Sequence, residues 1–406
     1  MGKKFFINNL NTYIGNALFS EIRNDVGEEG EVNEDANLIF GTYINKDSSE
    51  KPNGVKKMLK RSKPRLAMKY ISECDVIIYD LHSGNPKDID LALGAFDKYK
   101  IEEEADGKVL ILISSVAVWK NTEPKLEEIR PDAPVKEGEG DPEAVKDEHK
   151  DEPDGKKAQE DKDDKEGEGE AHPEGEGEPA HDDLPPEEPP KVEYRNVPYT
   201  EAEYVMRTPP EEYDKIKEIE DRILELHKPG LKTYVIGSGI IYGNGETETV
   251  FNDKFKSAWL QSPEYLTYVE DGENKIPTVH VVDLVRLVKK IYETKPDKKY
   301  LFCIDNTEDR RQKALIQAIS SGIGTGKVES KEYQVDEIVR FAARLELADK
   351  PNSTLSIDLN LRPSSLMVMP EGVEEAEPVD FPWHCEKGLA ANIGKVKEEF
   401  CKINNL

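Results

Sequence analysis

Lys3-Lys4-Phe5-Phe6-Ile7-Asn8-Asn9-Leu10-Asn11-Thr12-Tyr13-Ile14-Gly15-Asn16-Ala17-Leu18-Phe19 is the stretch whose reading decides the fold. Lys3–Ile7 reads as a short buried strand and Asn8–Ile14 as a loop. Gly15 opens a helix with apolar residues at helical spacing. Strand, loop and helix in this order begin a βαβ unit of the dinucleotide-binding kind. In such units the loop is rich in glycine, because bare backbone must approach a pyrophosphate at the helix N-terminus. On the spacing Gly-x-x-Gly-x-x-Gly the three positions are Asn9, Thr12 and Gly15, and only the third is glycine.

The alternation continues outward from this unit. Ala36–Tyr43 reads as a second strand, and the polar stretch Asn45–Lys60 as a loop. Pro64 suits the first turn of a helix running to about Glu73. Asp75–Tyr79 is a third strand, and Pro86 opens a further helix. Lys108–Ser114 is continuously apolar after its lysine, as in a parallel sheet covered on both faces. The expected fold class is α/β, a doubly wound, mostly parallel sheet carrying a long acidic insertion.

That insertion follows at once. Residues 122–198 show no hydrophobic periodicity. Lys136–Pro190 holds 23 acidic against 7 basic residues, in a chain whose formal net charge is −28. Such a segment cannot bury enough apolar surface to offset chain entropy, so it is expected to be a disordered, solvated loop. A basic partner is the alternative. Three organisational parts result: 1–121 and 199–406 as two halves of one domain, and 122–198 between them. In the second half Pro210–His227 reads as a helix and Lys232–Gly237 as a strand. Val250–Leu260 reads as a helix, Tyr300–Ile304 as a strand and Arg310–Ser320 as a helix. A terminal helix falls within Glu386–Ile403.

The acidic balance disfavours nucleic acid and anionic membrane as partners. No apolar run reaches membrane-spanning length, and the N-terminus lacks a signal-peptide pattern. Cys74, Cys303, Cys385 and Cys401 are scattered without metal-type spacing, and the histidines suggest no metal site either. They read as reduced thiols of an intracellular protein.

Two further signals flank the insertion. Ser114-Ser115-Val116-Ala117-Val118-Trp119 stands at the carboxyl end of a strand, where ligands bind in this architecture. Tyr213-x-x-x-Lys217 puts both side chains on one helix face. A lysine ammonium beside a phenol lowers the phenol's pKa and fits it for acid–base work, with Ser115 holding the substrate oxygen. The same spacing is common on solvated helices rich in Lys and Glu. Ser321-Gly322-Ile323-Gly324-Thr325-Gly326-Lys327 imitates a phosphate-binding loop. It follows a helix instead of opening one, and Val328 stands where Ser or Thr is needed, so it reads as a helix cap and turn.

Taken in order, these features resemble the extended short-chain dehydrogenase/reductase family, the epimerase and dehydratase group. The resemblance rests on Tyr13-Ile14-Gly15, on Ser114–Trp119, and on Tyr213 to Asp221 as Tyr-x-x-x-Lys-x-x-x-Asp. It also rests on Tyr242-Gly243-Asn244-Gly245 and Val279-His280-Val281-Val282-Asp283-Leu284. It implies a Rossmann fold, with Asn9, Thr12 and Gly15 at the cofactor turn and Ser115, Tyr213 and Lys217 as catalytic residues if the chain is active. The cofactor would then be NAD or NADP. Asn9 and Thr12 crowd the pyrophosphate, and the second strand ends in Gly41-Thr42-Tyr43 with no acid for a ribose hydroxyl, so the expectation is no bound cofactor.

A narrower resemblance is to the Rossmann-like domain that precedes the kinase domain in ciliary adenylate kinases. It is carried by Phe6-Ile7-Asn8-Asn9, Gly41-Thr42, Glu73–Tyr79, Thr233–Gly243 and Gly388–Phe400. It implies a non-catalytic component of a ciliary or flagellar axoneme, near radial spokes or the central apparatus. Its partners would be other axonemal proteins, not nucleic acid or membrane. The kinase domain is expected to be absent. The alternatives are an active oxidoreductase or epimerase, and the N-terminal part of a longer nucleoside-monophosphate kinase.

Overall fold

The structure, a computed structural model, describes residues 2–23, 36–43, 54–60, 62–83, 85–101, 107–129, 192–226, 228–246, 250–331, 357–369 and 379–406. They fall into two units, residues 1–126 with 196–406, and residues 127–195. In chain order the elements begin β1 (Lys4–Ile7), α1 (Tyr13–Ile22), β2 (Leu38–Thr42), β3 (Val55–Leu59), α2 (Pro64–Glu73), β4 (Val76–Asp80), α3 (Ile89–Lys98) and β5 (Lys108–Ser115). Short strands β6 (Leu126–Glu128) and β7 (Tyr194–Asn196) follow, then α4 (Asp214–Glu225), β8 (Leu231–Ser238) and β9 (Ile240–Tyr242). The chain continues with α5 (Val250–Leu260), β10 (Leu266–Val269), β11 (Thr278–His280), α6 (Val281–Thr294) and β12 (Tyr300–Cys303). It closes with α7 (Gln312–Ile323), β13 (Val328–Lys331) and a terminal helix, Ile393–Asn404.

In the first unit seven strands form one sheet in the order β12-β8-β5-β4-β1-β2-β3. Every neighbouring pair is parallel, with Phe6 facing Phe40 on one side and Ile77 on the other. The chain therefore winds outward through β1, β2 and β3, then returns to lay β4 beside β1 and winds the other way. The switch point lies between β1 and β4, and ligands bind outside the carboxyl ends there in open α/β sheets. Helices cover both faces, which is why β4 and β5 are buried almost throughout. On one face α1 and α6 pack through Ile14, Leu18, Leu284 and Val288. On the other, α2, α3 and α4 pack through Ile71, Phe96 and Ile223. A third core joins α5, α7 and the terminal helix around Phe255, Ile316 and Phe400.

The expected loop over 45–60 needs correction where it is described. Val55–Leu59 adds an edge strand beside β2, with a register shift at Ile39/Phe40. Val55 and Leu59 are buried while Lys56 and Lys57 are exposed, so the lysines that protect an edge also hide its strand pattern. Lys136–Pro190 lies outside the described residues. The second unit is represented by residues next to its ends, where Ile129 N–H donates to the Glu193 carbonyl at 2.8 Å and Arg195 pairs with Glu127 at 2.7 Å.

Candidate functional site

The turn between β1 and α1 holds itself together. Asn9 is left-handed, with φ 55°, a conformation Asn reaches more easily than most residues. Its N–H donates to Thr42 Oγ1 at 3.0 Å, and its carbonyl accepts both the Thr12 N–H, at 3.0 Å, and the Thr12 hydroxyl, at 2.8 Å. Thr12 has φ −94°, which suits a β-branched residue. It caps α1 by accepting the Gly15 N–H at 3.2 Å. Asn9, Thr12 and Gly15 are thus brought together, but by hydrogen bonds among themselves. The Gly15 donor at the helix start, of the kind that faces a pyrophosphate in a dinucleotide site, is taken by Thr12. Leu10 is fully buried above Gly41, where a Cβ would lie 2.5 Å from its Cδ1.

Hydrogen bonds cross the switch point beside this turn. Asn8 donates its amide to the Asp80 carbonyl at 3.2 Å and accepts the Asp80 N–H at 2.7 Å, joining the ends of β1 and β4. Asp80 Oδ1 accepts the His82 N–H at 2.9 Å and lies 3.0 Å from His82 Nδ1. His82 Nε2 lies 3.2 Å from Ser238 Oγ, which donates to the Ser114 carbonyl at 2.9 Å. The resulting chain crosses the carboxyl ends of β1, β4, β5 and β8. Ser238, His82 and Asp80 have the connectivity of a hydrolytic triad. Ser238 is 0% exposed, however, so no carbonyl carbon can reach its hydroxyl, and the group serves as a cross-brace. Sequence reasoning did not find this brace. The polar run Asp80-Leu81-His82-Ser83 after an apolar strand was its one visible sign.

The remaining expected residues have other occupations. Ser115 ends β5 and caps the following turn, accepting the Ala117 N–H at 3.2 Å. Tyr213 closes a turn just before α4 instead of lying within the helix. Lys217 donates to Asp221 at 2.7 Å, and Asp221 also receives Arg207. Where the sequence argument expects Lys217 to lower the Tyr213 phenol, burial, with Glu212 beside it, raises it. Arg207 itself is buried, donates to Glu220 at 2.8 Å and lies over the Tyr300 ring.

A second polar cluster holds the terminal helix. Glu399 lies 3.0 Å from His280 Nε2 and 2.7 Å from His384 Nε2, and it accepts the Asn244 N–H at 3.0 Å. Burial opposes its charge, yet these hydrogen bonds hold the carboxyl well below its ordinary range. His280, His384 and Cys385 bring donor atoms within 4.8 Å, a separation a metal ion could use. The Val282 N–H, however, points at His280 Nδ1 from 3.2 Å. That assigns the ring proton to Nε2, the nitrogen facing Glu399, and leaves no Nε2 lone pair for a metal. Burial keeps His280 below its ordinary pKa.

No protein-family model matches the sequence. Mouse adenylate kinase 7 is 29% identical over 223 residues, covering 52% of this chain and 32% of that protein. Adenylate kinase 7 of Macaca fascicularis is 28% identical over 176 residues, covering 43% and 30%. The match thus spans about a third of the length of these relatives. Among solved structures, a dTDP-glucose 4,6-dehydratase from Bacillus anthracis in complex with NAD superposes with a TM-score of 0.56 at 12% identity, covering 100% of this chain and 98% of that one. A UDP-N-acetylglucosamine 4-epimerase from Methanobrevibacter ruminantium gives 0.55 at 13%, with the same coverage. The chain therefore has a Rossmann-like fold, superposable on these epimerase and dehydratase structures, and is similar in sequence to part of adenylate kinase 7.

Proposed function

We propose that this protein is a non-catalytic interaction component built on a dinucleotide-binding fold that has closed its own ligand site. The setting we propose is a ciliary or flagellar axoneme, with other axonemal proteins as partners. The setting rests on the resemblance to ciliary adenylate kinases and on the shared sequence with adenylate kinase 7. One observation supports the loss of catalysis: the chain's own hydrogen bonds run across the carboxyl ends of β1, β4, β5 and β8. Thr12 takes the Gly15 donor, Leu10 packs over Gly41, and the Asn8–Asp80–His82–Ser238 chain bridges the switch point. Opening this crossing to a ligand would break buried and half-buried hydrogen bonds, each costing about 1–3 kcal/mol when its partner is left unsatisfied. Calorimetric titration of the full chain with NAD, NADH, NADP and NADPH tests the reading. No saturable heat up to millimolar concentration is expected. Micromolar binding of any of the four would overturn it and favour an oxidoreductase or epimerase using Ser115, Tyr213 and Lys217.

A further inference from the structure

Away from the sheet's carboxyl ends lies a separate concavity. A cleft of about 150 Å³ lies between the turn Gly243–Glu246, α5 and the terminal helix. Its walls are mixed: Phe255, Val396, Phe400 and Ile403 line it beside Asn244, Asn252, Lys256 and Asn404, with Ile403 45% exposed. Phe400 continues outward to Trp259, ring to ring at 6.3 Å, and the neighbouring Leu260 is 70% exposed. One acid among the lining residues is deeply buried. Glu246 is 8% exposed, and its carboxyl accepts the Gly243 N–H. The charged and titratable groups facing it are Asp253 and Lys256 from α5, Glu399 from the terminal helix and the Tyr13 phenol from α1.

Size and charge together select an occupant. Small-molecule pockets run to roughly 300–1,000 Å³, so this cleft is too small for a nucleotide and suits one long side chain. Four apolar side chains beside an acid match an alkyl stem with a cationic head, the way lysine buries its methylenes and keeps its charge satisfied. We propose that the cleft is a docking point for a lysine side chain of a protein partner, with its stem among Phe255, Phe400 and Ile403 and its ammonium on the Glu246 carboxyl. The proposal rests on the reading of this domain as an interaction component, and it names one contact surface.

The surroundings of Glu246 give the contact a pH signature. Burial, then Asp253 and Glu399, raise its carboxyl to about 8, while the Gly243 N–H and Lys256 oppose the shift. An incoming ammonium favours the ionised acid, so seating it below that pH expels a proton, and affinity climbs as pH rises. The probe is n-butylammonium, with n-butanol as the uncharged control. Each is titrated into the full chain while the backbone amide resonances of Gly243, Gly245 and Glu246 are followed by NMR. The amine should give saturable shifts that tighten about tenfold or more from about pH 6.5 to about pH 8.5, and butanol should not. Glu246→Gln should abolish the pH dependence and most of the affinity. Equal responses to amine and alcohol, or an affinity unchanged in Glu246→Gln, would overturn the proposal. If Glu246→Gln fails to fold, Ile403→Ser replaces it. That variant should weaken the amine about threefold or more while keeping the pH slope, through loss of apolar contact, and no weakening refutes the site. Neither outcome depends on dinucleotide binding, so this proposal and the functional reading fail separately.

Discussion

Gly15 survives in a turn whose other two glycine positions are Asn9 and Thr12, and the geometry separates the three. A Cβ on Gly15 would lie 2.2 Å from the Asn9 carbonyl oxygen, so the glycine is needed for the helix to meet the loop whether or not a ligand binds. Gly15→Ala should therefore destabilise the chain by about 1–3 kcal/mol or more in urea unfolding, as overpacking does. Thr12→Ala, which removes the cap on α1, should cost about 1 kcal/mol in the same measurement. Glu399 offers a pH test. Its carboxyl is held below its unfolded value of about 4.3, so it contributes stability above that value and loses it as pH falls through the folded value. The wild-type chain should weaken steeply below about pH 4.5, whereas Glu399→Gln should be weaker by about 1–3 kcal/mol at pH 7 and fall less on acidification. Parallel pH profiles for the two chains would refute the assignment.

Among the elements, the terminal helix is the one whose packing can be followed with a single probe. Phe400 lies 6.0 Å from the Phe255 ring and 6.3 Å from the Trp259 ring, joining the helix to α5. Phe400→Ala should cost about 3–5 kcal/mol. Calorimetry gives the stability, and indole fluorescence should change with it because Trp259 loses its ring neighbour. An unchanged melting temperature would mean that the helix is not part of this core. The same element was legible in the sequence, as were β1, β4, β5 and α7, because apolar or helical-period runs announce themselves. The edge strand β3 and the strands outside the main sheet were not. In β3 two exposed lysines interrupt the pattern, and in β10 and β13 most residues are only half-buried, so no alternation marks them. Tyr213 shows a different limit: the spacing to Lys217 was read as helical, but the chain enters α4 only after Tyr213.

At the scale of the whole molecule, the departure from the glycine-rich turn was visible, because Asn9, Thr12 and Gly15 lie within seven residues of sequence. The hydrogen bonds that cross the strand ends were not visible, since Asn8 meets Asp80 across 72 residues and His82 meets Ser238 across 156. Such pairings depend on which strands the topology sets side by side. The long acidic stretch poses the opposite problem, being obvious in sequence and testable through its flanks. The Ile129 N–H reaches the Glu193 carbonyl at 2.8 Å, so the chain leaves and returns at nearly one point. Replacing Lys136–Pro190 by a Gly/Ser linker of about six residues is therefore sterically feasible. It removes 23 acidic and 7 basic residues and takes the formal charge from −28 to −12. If the stretch is a solvated insertion, the shortened chain should unfold cooperatively within about 3 °C of the full chain. Added salt should raise the midpoint of the full chain more than that of the shortened one, because self-repulsion grows with net charge and is screened by ions. A large loss of stability in the shortened chain would instead assign the stretch a place in the folded core.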